Sequence, residues 1–143
     1  MQTIACSEAA FAVVDVETTG LNPHVDRVVE VACLRVRGGV VEERFSTLID
    51  PGKPISPAAS AIHGIYDRDV AGAPALDEVT PTLVRLARDA IVVGHNVRFD
   101  LGFLTCLTQM RSLCTLQLAR RLVDAPDYRN ETLRRVLELD VDV

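Results

Sequence analysis

Little in this sequence points to a membrane, a disulfide scaffold or a polycation. No apolar run reaches the roughly 18 residues that a spanning helix needs, and the opening "MQTIACSEAA" lacks the basic start and long apolar core of a secretory signal. The expected location is the cytoplasm, with no membrane partner. Four cysteines, at positions 6, 33, 106 and 114, make no C-x-x-C pair, which argues against a zinc site or a redox dithiol and for buried free thiols. Lys53 is the single lysine among 15 basic residues, and 20 acids leave a net charge of −5. Domains that hold nucleic acid by a general electrostatic blanket are usually basic, with pI above about 9, so that mode of binding is disfavoured. A nuclease is not, because bound divalent cations reverse the local sign where a phosphate arrives. Repeats, low-complexity tracts and domain linkers are also missing.

What is present is ordinary for a single α/β domain: 143 residues, 48% of them hydrophobic and 24% charged. Residues 11 to 17 read as a fully buried strand, and "DRVVEVACLRVRGGVVEERFSTLID" reads as two β-branched runs around Gly38 and Gly39, a hairpin with a primed turn. "PGKPISPAASAIHGI" is loop chemistry with a short helical patch near residues 57 to 62. Leu76, Val79, Leu83, Leu86 and Ala90 form one helical stripe, whose start Pro81 blurs. "AIVVGHN" gives another short buried strand, "VRFDLGFLTCLTQM" a helix, "SLCT" a brief strand, "LQLARRLV" a helix and "NETLRRVLEL" a last helix with Asn130 as N-cap. Strands alternating with helices after an antiparallel start imply a mixed sheet flanked by helices.

The chemistry begins in "FAVVDVETTG", residues 11 to 20, where an apolar strand yields Asp15 and Glu17. Side chains two apart on a strand share a face, with Cα atoms about 6.6 Å apart. Like charges about 6 Å apart at an effective dielectric near 20 repel by roughly 3 kcal/mol, about two pKa units. A divalent cation would compensate them. Asp100 lies in the first turns of the helix after "IVVGHN"; if residues 91 to 94 run parallel beside the first strand, all three acids meet at one carboxyl edge of the sheet, where ligands of open α/β sheets bind. Carboxylate oxygens are hard ligands suited to Mg²⁺ or Mn²⁺.

"FAVVDVETTGLNP" resembles the first motif of the DnaQ-like, DEDD-type 3′ to 5′ exonucleases, "VGHNVRFDLGFL" resembles their second, and "AIHGIYDRDVAGAPALDEV" is similar to the segment between them in the bacterial subgroup that includes the proofreading epsilon subunit of DNA polymerase III. The resemblance implies an RNase H-like fold with a mixed five-stranded sheet, and Asp15, Glu17 and Asp100 as catalytic ligands of two Mg²⁺ or Mn²⁺ ions. It implies a hydrolysis that releases nucleoside monophosphates from single-stranded 3′ ends, and a DNA polymerase as partner. Thr18, Thr19, Gly20 and Leu21 would border the terminal nucleotide, Gly20 by permitting close backbone approach. His63, Asn96 and Phe99 would lie along the same cleft. The residues alone offer structural roles for several of these: Asn96 as a helix N-cap, His63 as a loop tie, Asp100 as a first-turn acid, Phe103 as core. His95 reads as packed and His24 as exposed, neither as the general base.

The family closes with a third motif, H-x-A-x-x-D, whose histidine is the base and whose aspartate completes the metal site. The chain stops after "ETLRRVLELDVDV", and neither Asp140 nor Asp142 follows a histidine at that spacing. The expectation is a fragment or a naturally shortened relative, its C-terminal helix missing. It should bind Mn²⁺ weakly, its second ion above all, show little or no nuclease activity and self-associate through the apolar face that helix would cover. The alternative is a noncatalytic nucleic-acid-binding or scaffold remnant of the same fold. DNA and RNA preference are not separated by these motifs.

Overall fold

Five strands, β1 (Ala10–Thr18), β2 (Val28–Arg37), β3 (Val40–Leu48), β4 (Ile91–Gly94) and β5 (Ser112–Cys114), form one sheet in the order β3-β2-β1-β4-β5 in the computed structural model, which describes residues 5–139. β2 is antiparallel to both β1 and β3, whereas β4 is parallel to β1 and β5 to β4. The β2–β3 turn is the expected primed one. Gly38 and Gly39 have φ of 58° and 78°, which only a residue without Cβ adopts freely.

Among the described residues, six α-helices accompany the sheet: α1 (Pro57–His63), α2 (Asp67–Val70), α3 (Leu76–Ala87), α4 (Val97–Phe103), α5 (Thr115–Leu122) and α6 (Asn130–Val136). α1 has a full set of end signals, with Ser56 Oγ accepting from the Ala59 N–H, proline in the first turn and Gly64 left-handed at the end. The predicted stripe on α3 places Val79, Leu83, Leu86 and Ala87 in the core; Ala90 lies beyond the helix, and Pro81 sits inside it on the exposed side. Arg35 of β2 ties down the end of α3, its Nη1 donating to the carbonyls of Leu86 and Arg88 at 2.6 and 2.9 Å.

Four local expectations change. β1 is not buried on both faces: Ala10, Ala12, Val14, Val16 and Thr18 are buried, whereas Asp15 is exposed and Phe11, Val13 and Glu17 are half-buried. The inward set packs with α3, Phe103, Leu104 and Leu107 in the main core, and the other face is less covered. α4 ends at Phe103 rather than running to residue 110, because Leu104 leaves helical dihedrals (φ −94°, ψ 62°) while burying its side chain, and a 3-10 turn, Thr105–Leu107, follows. Asn96 occupies the N-cap position of α4 but makes no side-chain cap bond, because its backbone is left-handed (φ 82°). Asn130 is the first residue of α6, not its cap; Arg129 holds that position, and Asp127 Oδ1 accepts from the Arg129 N–H at 3.0 Å. Asp140 and Asp142 lie outside the described residues.

Candidate active site

β4 pairs with β1 only from Phe11 through Val13. Past that ladder the β1 backbone continues to Thr18 without its parallel neighbour, and the chain leaving β4 turns into α4. Gly94 makes that turn possible: a Cβ there would stand 3.1 Å from both the Val97 Cα and Asp100 Oδ2. The Asp100 carboxylate, 4% exposed, is consequently laid against β1, where the backbone N–H groups of Val16 and of Asp100 itself point at it. It feels the charges of both acids that flank Val16, Asp15 more than Glu17.

Electrostatics report the convergence. Burial and then the Asp15 charge push Asp100 up to about 6, with Glu17 adding to the effect and the two backbone N–H groups opposing it. Glu17 is raised by burial first and then by Asp15, and is partly relieved by His63. Asp15 is raised as well, although its side chain reaches solvent, because the protein packed around the end of β1 displaces part of its water; His95 relieves it. Among the described residues, no three or more His, Cys, Asp or Glu side chains are grouped closely enough to hold a metal ion as they stand. The donor set nevertheless fits a hard divalent cation: three carboxylates with shifted titration, drawn from β1 and α4, one of them buried and resting on N–H groups.

Beside Glu17 opens a pocket of about 390 Å³ lined by Thr18, Thr19, Gly20 and Leu21 from the end of β1 and the loop after it, by Ser56, Ala58, Ala59, Ile62 and His63 from α1 and its cap, and by Phe99 of α4. Its volume is that of a small-molecule site. Six of the seven expected substrate residues line it; Asn96, exposed at the start of α4, does not. His63 Nδ1 accepts from the Ile65 N–H at 3.1 Å, which leaves the proton on Nε2, a buried atom with no partner. Phe99 packs on Phe103 at 5.2 Å between ring centres. The hydroxyl protons of Thr18 and Thr19 are used inside the loop, donating to the Gly20 carbonyl and to Asp26 Oδ1.

Three features escaped the sequence reading. Ile62, 83% exposed, faces Leu21, 82% exposed, as the other rim of the pocket. Glu30 lies opposite Glu17 in the β1–β2 ladder and adds to its repulsion; alternation in "DRVVEVA" could have placed it. Gly20 has a close neighbour within the chain: a Cβ there would fall 2.5 Å from Asp26 Oδ2. His95 is half-buried, with Nδ1 3.0 Å from Thr115 Oγ1 and Nε2 2.6 Å from the Tyr128 carbonyl, which agrees with a packed role.

A family model described as an exonuclease (RNase_T) matches residues 12–140. The chain belongs to this exonuclease family. The exonuclease domain is 34% identical over 139 residues to a DNA polymerase III subunit epsilon of Aquifex aeolicus, covering 92% of this chain and 68% of that protein. It is 35% identical over 140 residues to a PolC-type DNA polymerase III of Listeria monocytogenes, covering 92% of this chain but only 10% of that one. Among solved structures it resembles an exonuclease X in complex with 5′ overhanging duplex DNA, with a TM-score of 0.78 and 34% identity over 92% of this chain and 75% of the other. These relatives bear out the DnaQ-like resemblance of both motifs and the RNase H-like sheet with its flanking helices.

Proposed function

We propose that the exonuclease domain hydrolyses the terminal phosphodiester bond at single-stranded 3′ ends, releasing nucleoside monophosphates, with Asp15, Glu17 and Asp100 holding Mg²⁺ or Mn²⁺. The observation that carries this reading is the electrostatic coupling of those three acids beside a nucleotide-sized pocket. Two such ions, when bound, supply an activated water and stabilise the departing oxygen. The chain's own residues do the rest. Leu21 and Ile62 present apolar rims between which the terminal base enters. Phe99 offers a ring for stacking, worth about 1–3 kcal/mol per base. The free His63 Nε2–H donates to an oxygen of the terminal nucleotide, and Glu17, next to it, faces the same group.

None of the three histidines stands ready as general base: His95 has both ring nitrogens engaged, His63 has one engaged and one protonated, and His24 is on the exposed loop. Loss of a general base costs about 10²–10⁴ in rate, so turnover by these 143 residues is slow or absent. We treat residues 1–143 as one exonuclease domain. The names of the relatives favour DNA and a polymerase partner; no helix among the described residues is long and apolar enough to cross a membrane. An apolar groove of about 410 Å³ between α5 and α6, walled by Leu118, Leu122, Leu133 and Leu137, favours self-association.

A second reading, a noncatalytic nucleic-acid-binding remnant, draws support from the Asp100 carboxylate being turned onto backbone N–H groups instead of a closed metal site. A 5′-labelled oligodeoxynucleotide in Mn²⁺ separates the two. The enzyme reading predicts a ladder shortened from the 3′ end and lost in Asp15→Asn; binding without any shortening, at protein in excess of substrate, supports the remnant.

A further inference from the structure

The loop that forms one wall of the pocket, residues 18–27, has no buried apolar side chain to hold it, since Leu21, Pro23 and Val25 are all exposed, yet its backbone is closely determined. Thr19 N–H donates to the Arg27 carbonyl at 2.8 Å, and the Arg27 N–H returns to Thr19 Oγ1 at 3.0 Å. Between them sits the carboxylate of Asp26. Its Oδ1 accepts from Thr19 Oγ1 at 3.1 Å and its Oδ2 from the Asn22 N–H at 2.9 Å, so it spans the segment that includes Gly20 and Leu21. The side chain is 17% exposed and fills the space where a residue other than glycine at 20 would put its Cβ, at 2.5 to 2.7 Å. Lys53 reaches the same corner, 3.8 Å from Asp26 Oδ1, and donates to the Val25 carbonyl at 2.9 Å. Lys53 precedes α1, which supplies the opposite wall.

We propose that Asp26 is a positioning residue for nucleotide binding: from behind the loop it sets the path of residues 19–22 and, through Lys53, the separation of the two walls of the pocket. It touches neither substrate nor metal. The inference rests on reading the pocket as the terminal-nucleotide site, and it reassigns Gly20, whose missing side chain makes room for a carboxylate of this chain rather than for a ligand. A carboxylate bonded by one backbone and one side-chain donor and paired with a lysine is not replaced by an alanine that accepts nothing. Loosening this corner weakens nucleotide affinity while Asp15, Glu17 and Asp100 remain in place.

The test is a double-mutant cycle between positions 20 and 26 in the 143-residue protein. Affinity for thymidine 5′-monophosphate in saturating Mn²⁺ is titrated together with Mn²⁺ affinity, and KM and kcat are measured on an oligodeoxynucleotide. Asp26→Ala is expected to raise the mononucleotide Kd and KM about tenfold, change kcat less than about threefold and leave Mn²⁺ affinity unaltered. Asp26→Asn, which keeps an acceptor, falls between. Gly20→Ala is expected to be as damaging as Asp26→Ala in the native background and to add less than about twofold when Asp26 is already alanine. Equal cost of Gly20→Ala in both backgrounds would show that the ligand demands the glycine and would overturn the proposal. So would an unchanged Kd in Asp26→Ala. If that variant does not fold, Asp26→Asn and Lys53→Met carry the test, with a raised Kd supporting the proposal and an unchanged one refuting it. Absence of mononucleotide binding by the native protein would overturn the pocket assignment as well, which distinguishes the two failures.

Discussion

Replacing Asp100 by asparagine is expected to make the metal-free protein more stable while abolishing its response to metal. Burial and neighbouring acids hold the native carboxyl at about 6, against 3.8 for the free group. The native state therefore binds this proton more tightly than the unfolded state between pH 4 and 6, and stability falls as pH rises through that window. Above pH 6 the ionised carboxylate costs the fold an amount set by the two pKa values, about 3 kcal/mol. Asparagine keeps an oxygen for the Val16 and Asp100 N–H groups but carries no charge. In EDTA at pH 7.5, Asp100→Asn should be more stable by about 1–3 kcal/mol, a rise in Tm of roughly 3–12 °C for a domain of this size. The advantage should vanish near pH 4, where both versions are neutral. Mn²⁺ at about 100 times its Kd should stabilise the native protein by about 2.7 kcal/mol and leave the variant unmoved. Thermal and urea unfolding across pH 4–8, with and without Mn²⁺, read all three. A variant less stable than native in EDTA at pH 7.5, or stabilised equally by Mn²⁺, would refute the reasoning.

Other consequences follow from the same geometry. Gly94→Ala puts a Cβ 3.1 Å from the Val97 Cα, so it should displace the start of α4, cost about 1–3 kcal/mol in urea unfolding and weaken Mn²⁺ binding. His63→Ala removes the unpartnered Nε2–H and should raise KM on an oligonucleotide about tenfold with a smaller effect on kcat, whereas Mn²⁺ affinity stays the same. Leu122, 78% exposed beside the α5–α6 groove, should be replaceable by serine within about 0.5 kcal/mol of stability, while sedimentation shows a shift toward monomer.

The parts of this molecule written in short periodicities were legible. Alternation in "VVDVE" placed Asp15 and Glu17 on one face, two glycines marked the hairpin, and the α3 stripe named its buried side. What was not legible depends on packing across elements. Nothing near residue 26 announces that its carboxylate underlies Gly20, because the turn that joins them is held by bonds to Thr19 and Asn22. The end of α4 could not be read from "DLGFLTCL", since helical and 3-10 continuations bury the same leucines. Asn96 and Asn130 follow the cap statistics of their residue type, yet Asn96 is drawn left-handed by the turn after Gly94 and Asn130 is displaced by an aspartate three residues earlier. The half-exposure of the second face of β1 reflects which helices cover the sheet, information a single strand does not carry.

The most direct measurement of the central claim is an anomalous-scattering map from crystals soaked in Mn²⁺. A peak bonded to carboxylate oxygens of Asp15 and Asp100, absent from crystals of Asp15→Asn, is the expected result. An empty map at saturating Mn²⁺, or a peak held by other residues, would contradict the account.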